Sequence, residues 1–211
     1  KRINKEFYQI QDEYLQEETK EKGIVDCDEL VPLQDHLYLF QGDITTLKCD
    51  AIVNAANSQM TGCYIPHHRC IDNCIHSYAG MQLRYACHQI MEKQGKKEET
   101  GKAKITKGYN LPCRYILHTV GPIIYYKVTN KEKEQLASCY RSCLELADAY
   151  HLESVAFCCI STGEFHFPKE LAAKIAIETV KEYLKKEANI KKVIFNVFKD
   201  EDRDIYQRYL R

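Results

Sequence analysis

The sequence predicts an α/β fold with a mixed or mostly parallel sheet covered by helices on both faces. Two observations predict it. Short apolar runs rich in β-favouring residues alternate along the chain with longer segments of helical period. Chemically unusual residues follow the carboxyl ends of three predicted strands, where sheets of this kind bind ligands.

The elements follow in order. Residues 1 to 22 alternate charges with Ile3, Phe7, Ile10, Tyr14 and Leu15, which fall on one helical face, so residues 1–35 are expected to form a helical extension packed on the core formed by 36–211. Leu37–Phe40 and Ala51–Val53 read as buried strands separated by the Gly42–Thr45 turn. Ile71 to Lys93 carries apolar residues at helical intervals and stops before Gly95, which predicts one long helix. Ala103–Thr106 and Tyr115–His118 read as strands, the second ended by Gly121 and Pro122. Helix 132–150, strand 155–160, a loop through Pro168, helix 169–186, strand 192–197 and a helix from about Asp200 complete the alternation.

Composition narrows the function. At 211 residues the chain suits a single core, and no Pro/Gly/Ser-rich linker divides it. Thirty Lys and Arg balance thirty Asp and Glu, so no global field draws it to nucleic acid or an anionic membrane, and neither partner is expected. No run approaches the roughly 18 apolar residues of a membrane span. The eleven cysteines sit in apolar runs such as Phe157–Ile160 rather than at disulfide-framework spacings, which suggests reduced thiols and a cytoplasmic setting.

Three loops hold the candidate site. A Ser161-Thr162-Gly163-Glu164-Phe165 turn between strand and helix can offer backbone N–H groups to a diphosphate, or be an ordinary turn. Asp43 can accept from an exocyclic amine such as that of adenine, or cap its turn. Asn57, in Asn54-Ala55-Ala56-Asn57, suits a ribose diol, or an Asx turn. His166 and Phe167 lie where an aromatic face can pack on a sugar or base, whereas His118 reads as a core histidine.

The segment from Gly62 to Asn73 is the most informative. Cys63, His68 and Cys70 offer two thiolates and an imidazole, a donor set that favours zinc over magnesium or calcium. Three protein ligands leave a position open, as at catalytic zinc sites, while His67, Cys74 or His76 could replace or complete the set. Asp72 stands at the start of the following helix, where it can cap that helix, handle a proton of water or orient a ribose hydroxyl.

Taken in order, GDITTLKCDAIVNAANSQMTGC (42–63), CIDNCIH (70–76), GKAKITKGYNLPCRYILHTVGP (101–122), STGEFHFP (161–168) and VIFNVFKDEDRDIY (193–206) resemble the macrodomain family over about residues 36 to 210. The CYIPHHRC insert resembles that of its zinc-containing microbial branch, associated with sirtuin-type ADP-ribosyltransferases and lipoyl-carrier proteins. The resemblance implies a three-layer α/β/α sandwich around a six-stranded mixed sheet. It implies Asp43 and Ile44 at adenine, Asn57 at the distal ribose and the 161–165 backbone at the diphosphate. Phe167 is implied beside that ribose, and Asn196 and Phe198 at the strand end bordering adenine. The implied activity is zinc-dependent removal of ADP-ribose from a mono-ADP-ribosylated protein, with Asp72 and Asn57 in the chemistry and an Asp/Glu ester as the linkage. A non-catalytic ADP-ribose reader and an O-acetyl-ADP-ribose deacetylase are the alternatives. The glycine run of other hydrolytic members is replaced here by Cys63–Cys70, so their mechanism does not transfer directly.

Overall fold

The computed structural model describes residues 4–186 and 188–211. Helix α1 (Lys5–Lys22) starts where the Asn4 side chain accepts from Glu6 N and buries Leu15 and Thr19. Ile3, expected on its apolar face, lies outside the described residues. After α1 come strand β1 (Val25–Asp26), a single 3-10 turn, and strands β2 (Pro32–Gln34) and β3 (Leu37–Gln41). A second 3-10 turn, Ile44–Thr46, leads to β4 (Leu47–Lys48), which pairs with β1, and to β5 (Ala51–Ala55). The chain continues through α2 (Ile71–Ala79), α3 (Met81–Gln94), β6 (Ala103–Lys107), β7 (Tyr115–Thr119), α4 (Asn130–Ala149), β8 (Ser154–Phe157), α5 (Lys169–Tyr183), β9 (Lys192–Val197) and α6 (Asp200–Leu210).

Among the described residues the main sheet has the order β2-β3-β9-β8-β5-β7-β6. Its five central strands are parallel, and β2 and β6 close the two edges antiparallel to their neighbours. Strands β5, β8 and β9 are buried nearly end to end, because helices cover both faces and no solvent-facing row is left to be polar, whereas β3, next to the edge, is mostly half-buried. Helices α4, α5 and α6 pack in series on one face; α2 and α3 cover the other, with α1 against α2. The six expected strands are present. The seventh, β2, comes from the N-terminal segment, which is therefore helix plus strands rather than helical throughout.

The helix expected over 71–93 is two helices. Gly80 separates them at φ +94° and ψ 175°, a conformation that residues with a Cβ avoid. The break is filled from α1 and the β6–β7 connection. Gln11 Oε1 accepts from Met81 N at 3.0 Å, and Gln11 Nε2 donates to Gln82 at 2.7 Å. Asn110 Nδ2 donates to Ala79 O and to Asp12. Thus α1 caps the start of α3, and the turn directs α2 independently of α3.

None of the eleven cysteines is in a disulfide, and no described helix is long and apolar enough to cross a membrane. A Cβ on residue 80 would lie 2.8 Å from the Gln11 and Gln82 side chains. Gly80→Ala is therefore expected to lower stability by about 1–3 kcal/mol, read from the urea midpoint. An unchanged midpoint would show that the α2–α3 break is not fixed by this residue.

Candidate active site

The carboxyl ends of the parallel strands β3, β9, β8, β5 and β7 all point to one edge of the sheet, because their register is in phase. The loops leaving that edge carry most of the residues singled out from the sequence, while Asp72 lies in the first turn of α2 and Asn196 in β9 itself. Asp43 follows β3, Asn57 and the cysteine–histidine segment follow β5, the 161–165 turn follows β8, and Phe198 follows β9.

At the centre is a buried hydrogen-bond chain. Asn54 on β5 is in register with His118 on β7. Its Nδ2 lies 3.1 Å from His118 Nδ1 and donates to Asp72 Oδ1 at 2.9 Å. The other His118 nitrogen lies 2.8 Å from Thr106 Oγ1 on β6. With the Asn54 amide donating to Nδ1, the proton of His118 belongs on Nε2, donating to Thr106. Asn57 Nδ2 donates to Asp72 Oδ2 at 3.0 Å and to Gly62 O at 3.1 Å. Both carboxylate oxygens of Asp72 thus receive amide N–H groups, an arrangement suited to the anion. Burial pushes the Asp72 carboxyl above its usual range, while these amides and the Arg84 guanidinium pull it back.

His76, on the next turn of α2, is also sealed from solvent, with Nε2 3.6 Å from Asp72 Oδ1. Burial drives both His76 and His118 down to about 3, so both imidazoles are neutral at physiological pH. His118 is a core histidine, as the sequence suggested, but one that fixes the amide holding Asp72.

The metal-ligand candidates converge. Cys63, His68 and Cys70 each bring a donor atom within 4.8 Å of the other two, and Cys63 Sγ lies 3.4 Å from His68 Nδ1. A tetrahedral zinc with ordinary Zn–S and Zn–N bonds would have an S···N edge of about 3.5 Å, so the residues fit that ion. Cys70 also caps α2, accepting from Asn73 N at 3.4 Å. Burial, together with the nearby Cys63 thiol, pushes the Cys70 thiol up to about 11, a cost that a bound cation reverses. The loop is braced from three sides. Asn73 Nδ2 donates to Cys63 O and Ile65 O; Arg84 donates to Thr61 O and stacks on Tyr64; and His68 Nε2 lies 3.6 Å from Glu164.

The remaining expectations divide. The N–H groups of Gly163, Glu164 and Phe165 donate to no described residue, so this turn presents a row of free donors. Ser161, at φ +65°, is held by Phe167 N donating to its carbonyl at 2.9 Å, and its Oγ is buried against Gly121. A Cβ on Gly121 would lie 2.0 Å from that oxygen, which explains the glycine. Thr162 turns its hydroxyl to Cys159 O. Phe167 is only 2% exposed and belongs to the core, so the expected aromatic face for a sugar is not offered there. Ile44 is equally buried, leaving its backbone N–H, which donates to no described residue, as its contribution to a base. Asn196 spends its amide on Gly42 O and Phe40 O and so positions the Asp43 turn, whereas Phe198 is 75% exposed. Asn57 forms the Asx turn, accepting from Gln59 N, as well as holding Asp72; both readings of that residue coexist.

A fold of this order, with a Ser-Thr-Gly turn, an Asn-Ala-Ala-Asn strand end and an aspartate at the following helix, can be compared with known proteins. The model of the Macro domain family matches residues 53–176. The chain belongs to the Macro domain family. It is 52% identical over 211 residues to a protein-ADP-ribose hydrolase of Treponema medium, covering 98% of this chain and 81% of that one. A protein-ADP-ribose hydrolase of Staphylococcus aureus is 50% identical over 207 residues, with 97% and 77% covered. The Trypanosoma brucei macrodomain in complex with ADP-ribose superposes with a TM-score of 0.81 at 29% identity, covering 100% of this chain and 92% of that one.

In this macrodomain Asn54, expected with Asn57 in a loop, lies within β5, and the sequence assigned no individual role to Asn54, Asn73 or Arg84 and none beyond the core to His118. Asn54 carried a visible signal, an amide in an otherwise apolar strand, where burial demands a polar partner. A cavity of about 540 Å³ beside the cysteine–histidine loop, lined by Gln59, Thr61, Tyr64, His88 and Met91, contains none of the candidate residues.

The two depressed histidines make stability pH-dependent. Unfolding lets each return toward its ordinary value of about 6.5, so below that pH the unfolded chain binds more protons and stability falls. Each should remove about 1.4 kcal/mol per pH unit between about pH 6 and pH 4. Denaturation at a series of pH values should show His118→Gln with a clearly shallower slope than the parent; identical slopes would mean that His118 is not buried neutral.

Proposed function

We propose that this macrodomain is a zinc-dependent protein mono-ADP-ribosyl hydrolase acting on an Asp/Glu ester. The observation that carries the reading is an acceptor carboxylate, Asp72, fixed two residues beyond Cys70 in a three-donor cage, at the edge of a sheet that also presents free N–H donors. Support comes from relatives named protein-ADP-ribose hydrolase at about half identity over nearly the whole chain. ADP-ribose as ligand is supported by the related macrodomain bound to it. The opposing enzyme in this reading is a sirtuin-type ADP-ribosyltransferase, and the target a lipoyl-carrier protein.

The residues divide the work. The 163–165 N–H row receives the diphosphate, and the Asp43 turn, with Ile44 N–H, receives adenine. Asn57 holds Asp72 and keeps a second lone pair on Oδ1 for a ribose hydroxyl. Asp72, its oxygens oriented by two amides, takes a proton from the attacking water as the bond between the distal ribose and the protein's carboxylate breaks. Free ADP-ribose and an Asp or Glu side chain are the products. A zinc ion held by Cys63, His68 and Cys70 would supply Lewis-acid charge at the sugar end of the cleft. His68 would be oriented for that duty by Glu164 on its far nitrogen.

The test is incubation with carboxylate-linked and serine-linked mono-ADP-ribosylated peptides, with and without a chelator, reading free ADP-ribose. Release from the carboxylate-linked peptide is expected to fall at least about tenfold with chelator, in Cys63→Ala and in Asp72→Ala. Undiminished release with chelator would remove zinc from the reaction, and binding without release in the parent would make this a reader.

A further inference from the structure

We infer that Lys22, carried by the last turn of α1, reads the nucleobase together with Asp43, so that the N-terminal helix is part of the nucleotide site. This rests on the reading of the Gly42–Thr45 turn as the adenine end.

The two oxygens of Asp43 have different duties. Oδ1 accepts from Thr45 N at 2.9 Å and from Thr45 Oγ1 at 2.7 Å, and so caps its own turn. Oδ2 is the oxygen left for a ligand, and Lys22 Nζ lies 3.3 Å from it. The same ammonium sits 3.0 Å from the centroid of the Tyr78 ring on α2, a cation–π contact that holds it in place. Its helix is anchored at a distance by Gln11 to Met81 and Gln82, and by Gln16 to Asn110. Lys22 is therefore not on a free arm: α1, α2 and the 3-10 turn after β3 together fix where its charge lies.

The pair sets an acceptor, Asp43 Oδ2, beside a cationic donor, Lys22 Nζ. Adenine presents the complement, an amino donor next to a ring-nitrogen acceptor. A 6-oxopurine places a carbonyl oxygen where that amine would be, and it would meet the carboxylate acceptor to acceptor. Asp43 favours the amine and Ile44 N–H offers a neutral donor on the same turn; Lys22 Nζ adds a cationic donor directly beside Oδ2 and so strengthens the reading of the donor–acceptor order of the edge. Lys22 is thus a specificity-determining residue contributed by a segment outside residues 53–176, the stretch matched by the family model.

Calorimetry of the full chain with ADP-ribose and with its hypoxanthine analogue tests this. The parent is expected to bind ADP-ribose at least about tenfold more tightly than the analogue, because the mismatched carbonyl leaves polar groups unpaired. Lys22→Met keeps the aliphatic stem and should weaken ADP-ribose about tenfold while weakening the analogue less, and Lys22→Arg should stay within about threefold of the parent. ADP-ribose affinity within about twofold of the parent in Lys22→Met, or equal losses for both ligands, would overturn the assignment of Lys22. Asp43→Asn keeps the cap on Thr45 but turns the free oxygen into a donor. If that variant binds ADP-ribose as the parent does, the adenine reading of the turn fails, a result distinct from failure at Lys22.

Discussion

The site depends on one buried amide. Asn54 stands in the middle of a parallel sheet, and its Nδ2 serves two acceptors at once, the imidazole of His118 on the neighbouring strand and the carboxylate of Asp72 on α2, while its Oδ1 is buried without a partner among the described residues. That one nitrogen fixes several things together. It sets the tautomer of His118, which in turn is fixed by Thr106 on the edge strand β6. It orients Asp72 and favours the anion. It also penalises any slip of β5 against β7, because a one-residue shift would turn Asn54 to the opposite face of the sheet. The fold and the acceptor carboxylate are specified by the same bond.

Around that centre the loops are held by side chains rather than by regular structure. The cysteine–histidine loop has little core of its own, and Tyr64 and Ile65 are exposed on it. Asn73 and Arg84 fasten its backbone and its tyrosine, while Glu164 reaches across from the 161–165 turn to His68. The contact between Glu164 and His68 joins the turn with free N–H donors to the cysteine–histidine loop. The Gly80 break serves the same end. By freeing α2 from the direction of α3, it lets Cys70 cap a short helix while Asp72 points back to the sheet.

Much of this was legible in the sequence because it is local. The alternation of strands and helices, the strand ends that carry the site, and the Cys63, His68 and Cys70 set are all read from residue type and spacing, and the structure brings these three donors together. What escaped is what depends on pairing between distant segments. Asn54 and His118 meet only because β5 and β7 are parallel neighbours in that register. Helical periodicity continues across residue 80 and gives no sign of the break. Phe167 and Ile44 lie in loops, where an apolar residue can face ligand or core, and the core claimed both. The short strand β2, which begins at a proline, is stabilised by its pairing with β3 rather than by its own propensity.

The most direct measurement is the ring-nitrogen resonance pattern of His118 by long-range proton–nitrogen NMR at neutral pH. A neutral ring with its proton on Nε2 is the result this account requires, since Nδ1 must be free to accept from Asn54. A proton on Nδ1 would mean that the Asn54 amide is reversed and turns its carbonyl oxygen toward Asp72. The carboxylate could then not be the oriented acceptor on which the proposed chemistry rests.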